Sequence, residues 1–199
     1  MIKETSKIEV DFYDPWSRTG FKALRERADA AGRVIMAQFG SYLKGTFDKD
    51  SFMESAKEFV KIFPVDGFSV GFSAEPGKSQ VVKELVAAIK ELNLRVSLWF
   101  KTSNWQELKQ TGLGKMVDNV VVIPWPSDKN ESIENFNTDR FAEDMIKDVV
   151  KAGVDLNKLF FFIVFFGLTF CIVGAFAETD LIATVWREIQ CCFLDTTNR

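Results

Sequence analysis

The sequence predicts an α/β protein with parallel strands, either a small open sheet or a shortened (β/α)8 barrel. Three observations predict it. Short apolar runs alternate with helix-length amphipathic segments, and strands joined by such crossovers pair in parallel. The runs are apolar on both faces, as strands covered by helices must be. The chain has 199 residues, room for about six strands, whereas a closed eight-stranded barrel typically needs roughly 250 residues.

The elements follow in order. Ile8 to Tyr13 reads as a short strand ended by Asp14-Pro15-Trp16. Phe21 to Ala31 is a charged amphipathic helix closed by Gly32. Val34 to Ala37 suits a buried strand. Asp50 to Ile62 is a helix with an apolar stripe of Phe52, Ala56, Phe59 and Val60. Phe68 to Ser73 alternates as a strand does, and Ser79 caps a helix running to Leu92. Leu94 to Phe100 is a strand, Trp105 to Lys109 a short helix, and Val117 to Ile123 a strand stopped by Pro124 and Pro126. Asp139 to Ala152 is a helix broken at Gly153, followed by a strand near residues 159–166. Leu181 to Ile189 reads as a last helix or strand. All the strands are expected to be parallel.

The stretch Leu159 to Phe176 holds no charged residue over eighteen positions, with Lys158 and Glu178 on its flanks. That is the length at which a membrane-spanning helix has to be weighed. Its Phe, Ile and Val content favours strands, and the α/β pattern running into it favours a barrel strand over a membrane helix. Exposed Phe160 to Phe166 at an open sheet edge would drive self-association or membrane association.

Composition excludes several chemistries. Hydrophobic residues make up 47% and charged residues 27%, which is a globular balance. There is no histidine, so Ser-His-Asp and Cys-His catalysis and the commonest zinc ligand are absent. No cofactor or metal site is expected. The net charge is -3, without a basic block, which argues against binding a nucleic-acid backbone. Cys171, Cys191 and Cys192 read as free thiols, with a bridge from Cys171 to one of the others open if the protein is secreted. The start, Met1 to Lys7, lacks an apolar signal-peptide core. The expectation is a cytosolic protein or a missing gene start.

Five segments in order resemble chitinases of glycoside hydrolase family 18. Arg33 to Gly40 is similar to a strand ending in S-x-G-G, of which Gly40 keeps the second glycine. Phe63 to Ser73 resembles the F-D-G-x-D-x-D-W-E region. Leu94 to Phe100 is similar to the next strand, and Val117 to Pro126 to the V-D-F-x-N-V-M-T-Y-D stretch. Asn157 to Ile163, with Phe166 to Phe170, resembles K-L-V-L-G-I-P-F-Y-G-R-S-F, and Trp186 to Cys191 a Y-Y-E-I-C segment. The resemblance covers roughly residues 20 to 194 of one domain, without the family's first and last strands. It implies a secreted protein with chitin or chito-oligosaccharide as ligand.

The resemblance also implies what is lost. Family members protonate the leaving oxygen with a glutamic acid, while a neighbouring aspartate orients the substrate's own acetamido group. These carboxyls sit at alternate positions of one strand. Here Asp66 matches the first aspartate, Ser69 and Gly71 stand at the next two carboxylates, Ser73 stands at the acid and Phe72 at the tryptophan. A serine hydroxyl cannot protonate a leaving group near neutral pH. Glu75 lies beyond the strand and is displaced too far to substitute. Trp125 and Pro126 replace a tyrosine and an aspartate, Val121 an asparagine, and Phe166 and Leu168 a tyrosine and an arginine. The expectation is a catalytically inactive chitinase-like protein. Its sugar-binding candidates are Trp99, Trp125, Phe72 and Phe166, weighed against core packing, and Asp66 is read as a binding residue or as the turn into its strand. The alternative is a shortened, non-enzymatic paralogue or fragment that binds no sugar.

Overall fold

The computed structural model describes residues 6–8, 18–39, 46–72, 78–101, 104–123, 138–164 and 170–173. Its helices are α1 (Arg18–Ala30), α2 (Lys49–Ile62), α3 (Lys78–Glu91), α4 (Trp105–Thr111), α5 (Leu113–Met116) and α6 (Asp139–Lys151). Its strands are β1 (Met36–Phe39), β2 (Gly67–Phe72), β3 (Arg95–Lys101), β4 (Asn119–Ile123), β5 (Leu159–Val164) and β6 (Phe170–Val173). They form one sheet in the order β1-β2-β3-β4-β5-β6. The first five pair in parallel, as the alternating pattern predicts.

The last pairing departs from that expectation. β5 and β6 are antiparallel, with Phe162 opposite Ile172. The reason is the length of the link. Five residues separate Val164 from Phe170, and a parallel return needs a crossover of about a dozen or more. The apolar run therefore holds two strands rather than one, and Leu159–Val164 and Phe170–Val173 are not parts of a helix. Among the described residues no helix is long and apolar enough to cross a membrane. Of the expected Ile8 to Tyr13 strand, only Ile8 is described, as a single bridge residue whose N–H donates to Ser55 Oγ at 3.1 Å. The Leu181 to Ile189 segment lies outside the described residues.

The core lies between the sheet and its helices. Phe68, Val70 and Phe72 of β2, Val96, Leu98 and Phe100 of β3, and Val120 and Val122 of β4 are buried. Each strand places every second side chain on this face. Helix α2 meets it through Phe59, whose ring centroid is 5.9 Å from that of Phe68. Leu85, Val86 and Ile89 of α3 join the same cluster. Helix α1 is attached by Phe21, edge-on to Phe63 at 5.4 Å.

Local chemistry sets the helix ends. Asp48 caps α2 by accepting from the Ser51 N–H at 3.1 Å, and Thr138 caps α6 by accepting from the Phe141 N–H at 3.2 Å. Ser79 differs from expectation: α3 begins at Lys78, and the Ser79 hydroxyl donates to Glu107 Oε1 of α4 at 2.5 Å. Helix α4 stops at Gly112, whose φ of 68° is left-handed.

Gly67 is set by space rather than by dihedral. A Cβ there would lie 2.2 Å from the Arg95 carbonyl oxygen, and backbone cannot retreat as a side-chain tip can. Gly67→Ala is expected to destabilise the chain by about 1–3 kcal/mol or more. A urea midpoint indistinguishable from wild type would contradict this.

Candidate functional site

The face of the sheet turned away from the helices carries the complementary set of residues. Strand register aligns them into rows. One row is Gln38, Ser69, Ser97 and Asn119, four neutral polar side chains on adjacent strands. The next row, nearer the strands' C-terminal ends, is Gly71, Trp99, Val121 and Phe160. Lys101 and Ile123 follow. In parallel α/β architectures sites form at this C-terminal end.

Two of the four positions that resemble a degenerate motif are thereby located. Ser69 is half-buried and Gly71 buried, both on the open face and two residues apart on β2. Neither bears a carboxylate. Ser73 lies just past β2, outside the described residues, as do Glu75, Trp125, Pro126, Phe166 and Leu168.

Trp99 explains why Gly71 is a glycine. A Cβ on Gly71 would lie 2.5 Å from Trp99 Cζ2 and 2.8 Å from Cε2. The indole rests on the glycine, in the volume that a side chain at position 71 would need. Trp99 is half-buried overall, yet its Nε1 is buried without a hydrogen-bond partner among the described residues. An indole N–H in that state leaves its desolvation uncompensated.

Phe72 does not belong to this face. It is 4% exposed and packs in the helix-side core with Phe68 and Val70. Strand parity decides the matter: Phe72 and Gly71 are neighbours in sequence and must point to opposite sides. Its candidacy for sugar contact is corrected accordingly.

Asp66 also lies apart from the open face. It precedes β2 at the N-terminal end of the sheet, where its Oδ2 accepts from the Ile35 N–H and from Arg25 Nη1, both at 2.6 Å. Its own N–H donates to the Ile35 carbonyl at 2.9 Å. Asp66 thus ties the last helix before β1, the approach to β1 and the start of β2 together. Burial works to raise its pKa, but the Arg25 guanidinium and the Ile35 N–H outweigh it and hold the carboxyl below its ordinary range.

The arrangement occurs twice. Asp118, before β4, accepts from the Val96 N–H at 2.7 Å and from Lys90 Nζ at 2.6 Å, while its N–H donates to the Val96 carbonyl at 2.9 Å. Burial again raises its pKa, and Lys90 with the Val96 N–H again overcomes this, leaving it lowered. Sequence reasoning placed Asp118 within a motif and assigned it nothing. The signal was present: Val65-Asp66 and Val117-Asp118 each stand directly before a strand.

Among the described residues no group of three or more acidic or cysteine side chains could hold a metal ion. No protein-family model matches the sequence, and no curated protein matches it. Solved structures do match the fold. An immunomodulatory active chitinase from Trichuris suis aligns over 81% of this chain and 54% of its own, with TM-score 0.55 and 13% identity. A Streptomyces coelicolor protein assigned as Chitinase A aligns over 72% and 55%, with TM-score 0.52 and 18% identity. The GH18 chitinase ChiB of Flavobacterium johnsoniae aligns over 70% and 52%, with TM-score 0.49 and 16% identity. The chain spans about half the length of these structures. The described sheet is not closed, and its fold is like that of the Trichuris suis and Streptomyces coelicolor structures, an α/β fold consistent with a shortened (β/α)8 barrel.

Proposed function

We propose that this chain is a chitinase-like protein that binds chitin or N-acetylglucosamine oligosaccharides without cleaving them. The contact between Trp99 and Gly71 carries the reading. An indole from β3 fills the place of a motif carboxylate on β2, so this face of the sheet carries an aromatic ring where the acid machinery would stand. In the row below it are the neutral hydrogen-bonding groups of half-buried Ser69 and Asn119. Aromatic area beside a few neutral polar groups is how saccharides are held. Hydrolysis needs more: a proton donor at the leaving oxygen and a second group that stabilises the developing charge. Ser69 and Gly71 supply neither.

The test has two arms. Purified protein should release no reporter above background from chitobiose or chitotriose substrates, and measurable turnover by the unmodified chain would refute the silent reading. The same preparation should be retained on chitin beads and eluted by chitotriose. Retention equal to that on a cellulose control would refute sugar binding and leave the non-binding paralogue as the reading.

A further inference from the structure

We propose that Trp99 is a built-in plug: its indole is parked on Gly71, and it must swing off before this face of the sheet accepts a saccharide. This inference rests on the sugar-binding reading above and adds its regulation.

Three observations carry it. The parked position is possible only because residue 71 has no side chain, since a single methyl group would overlap the ring at 2.5 Å. The parked position is also unsatisfied, because it buries the indole N–H with no acceptor among the described residues, and a polar group held that way disfavours the state holding it. Finally, Trp99 is followed on the same face by Lys101 at the end of β3, so the ring sits one layer below the C-terminal end of that strand. A rotated indole can stack on a sugar ring and donate its N–H to a hydroxyl or carbonyl oxygen. Free chain and bound chain thus differ in one side chain, and observed affinity is reduced by the fraction of molecules in which the ring is out.

Gly71→Ala separates this from a fixed aromatic platform. The added methyl group evicts the ring, so a plug predicts chitotriose binding tighter by about tenfold, whereas a fixed platform predicts weaker binding because its packing is disturbed. The full chain is labelled with 5-fluorotryptophan, and the Trp99 resonance is assigned by its loss in Trp99→Phe. In wild type this resonance should show little solvent-isotope shift, and in Gly71→Ala the shift of an exposed indole. A resonance equally shielded in both chains, or weaker chitotriose binding by Gly71→Ala, overturns the plug. An exposed resonance with no chitotriose binding by either chain shows that the ring parks on Gly71 but refutes the sugar reading, and with it the plug. Should Gly71→Ala fail to fold, wild type alone decides: chitotriose at saturation must move the Trp99 resonance, and an unchanged resonance in a chain shown to bind overturns the proposal.

Discussion

Gly71→Asp, the substitution that restores a motif carboxylate, is expected to destabilise the chain by about 3–5 kcal/mol and to restore no hydrolysis. Two costs combine. The Cβ alone must displace the Trp99 ring from 2.5 Å. The carboxylate then lies in a row with Trp99, Val121 and Phe160, where no aligned side chain is cationic. On the proposed reading activity does not return, because Ser73, Trp125 and Leu168 stand where the resembled pattern has the acid, a tyrosine and an arginine. The triple change Ser69→Asp, Gly71→Asp, Ser73→Glu should remain at background turnover for the same reason. Residues that share one volume are not independent, so the steric part can be isolated by a double-mutant cycle. Trp99→Ala should cost stability by itself, yet Gly71→Asp should cost less in the Trp99→Ala background, by about 1–3 kcal/mol. Urea unfolding of the four chains measures this. Strict additivity would show that the indole and position 71 do not compete for space.

The fold was largely legible because its signals are local. Phe68, Val70 and Phe72 alternate with Ser69 and Gly71, and that period belongs to a strand with one face on helices. The helix α2 stripe is equally plain, and Asp48, which caps that helix, directly precedes it. What escaped the sequence depended on distances along or across the chain. The β5–β6 reversal rests on where each strand ends inside an uninterrupted apolar run, and composition alone does not place those ends. The partnership of Gly71 with Trp99 rests on register between strands, fixed only when β2 and β3 pair. Phe72 could have been removed from the site by parity, since Gly71 had already been assigned to the face of the motif. Asp66 was legible as a residue turning the chain into its strand, whereas its basic partner, Arg25, lies far back in sequence and leaves no local trace.

Removing both strand-start aspartates is expected to cost about 2–5 kcal/mol, and their charge makes that stability pH-dependent. Asp66→Ala strands the Ile35 N–H and deprives Arg25 of one of its two carboxylate partners, the other being Asp29, and Asp118→Ala strands the Val96 N–H and takes the carboxylate from Lys90. The Asp118–Lys90 pair is more than a third exposed on each side, so most of its loss comes from the N–H rather than from screened charge. The two sites share no partner, so their effects should add. For a chain of this size each kcal/mol corresponds to about 2–4 °C in Tm. Both carboxyls are held below their ordinary pKa in the folded chain. Their contribution is therefore full above the unfolded aspartate value of about 3.9 and is lost as pH falls through the lower folded values. Tm should be nearly flat from neutral pH to about 5 and fall steeply below about 4. Asp66→Asn with Asp118→Asn retains an oxygen acceptor for each backbone N–H but no charge. It should be less stable than wild type near neutrality and should lose less on acidification, with Asp48, also lowered by its Ser51 hydrogen bonds, among the groups that keep a residual slope. Melts across this range decide it. A double asparagine chain whose Tm falls in acid as steeply as that of wild type would show that the paired clamps do not hold the lower end of the sheet through charge.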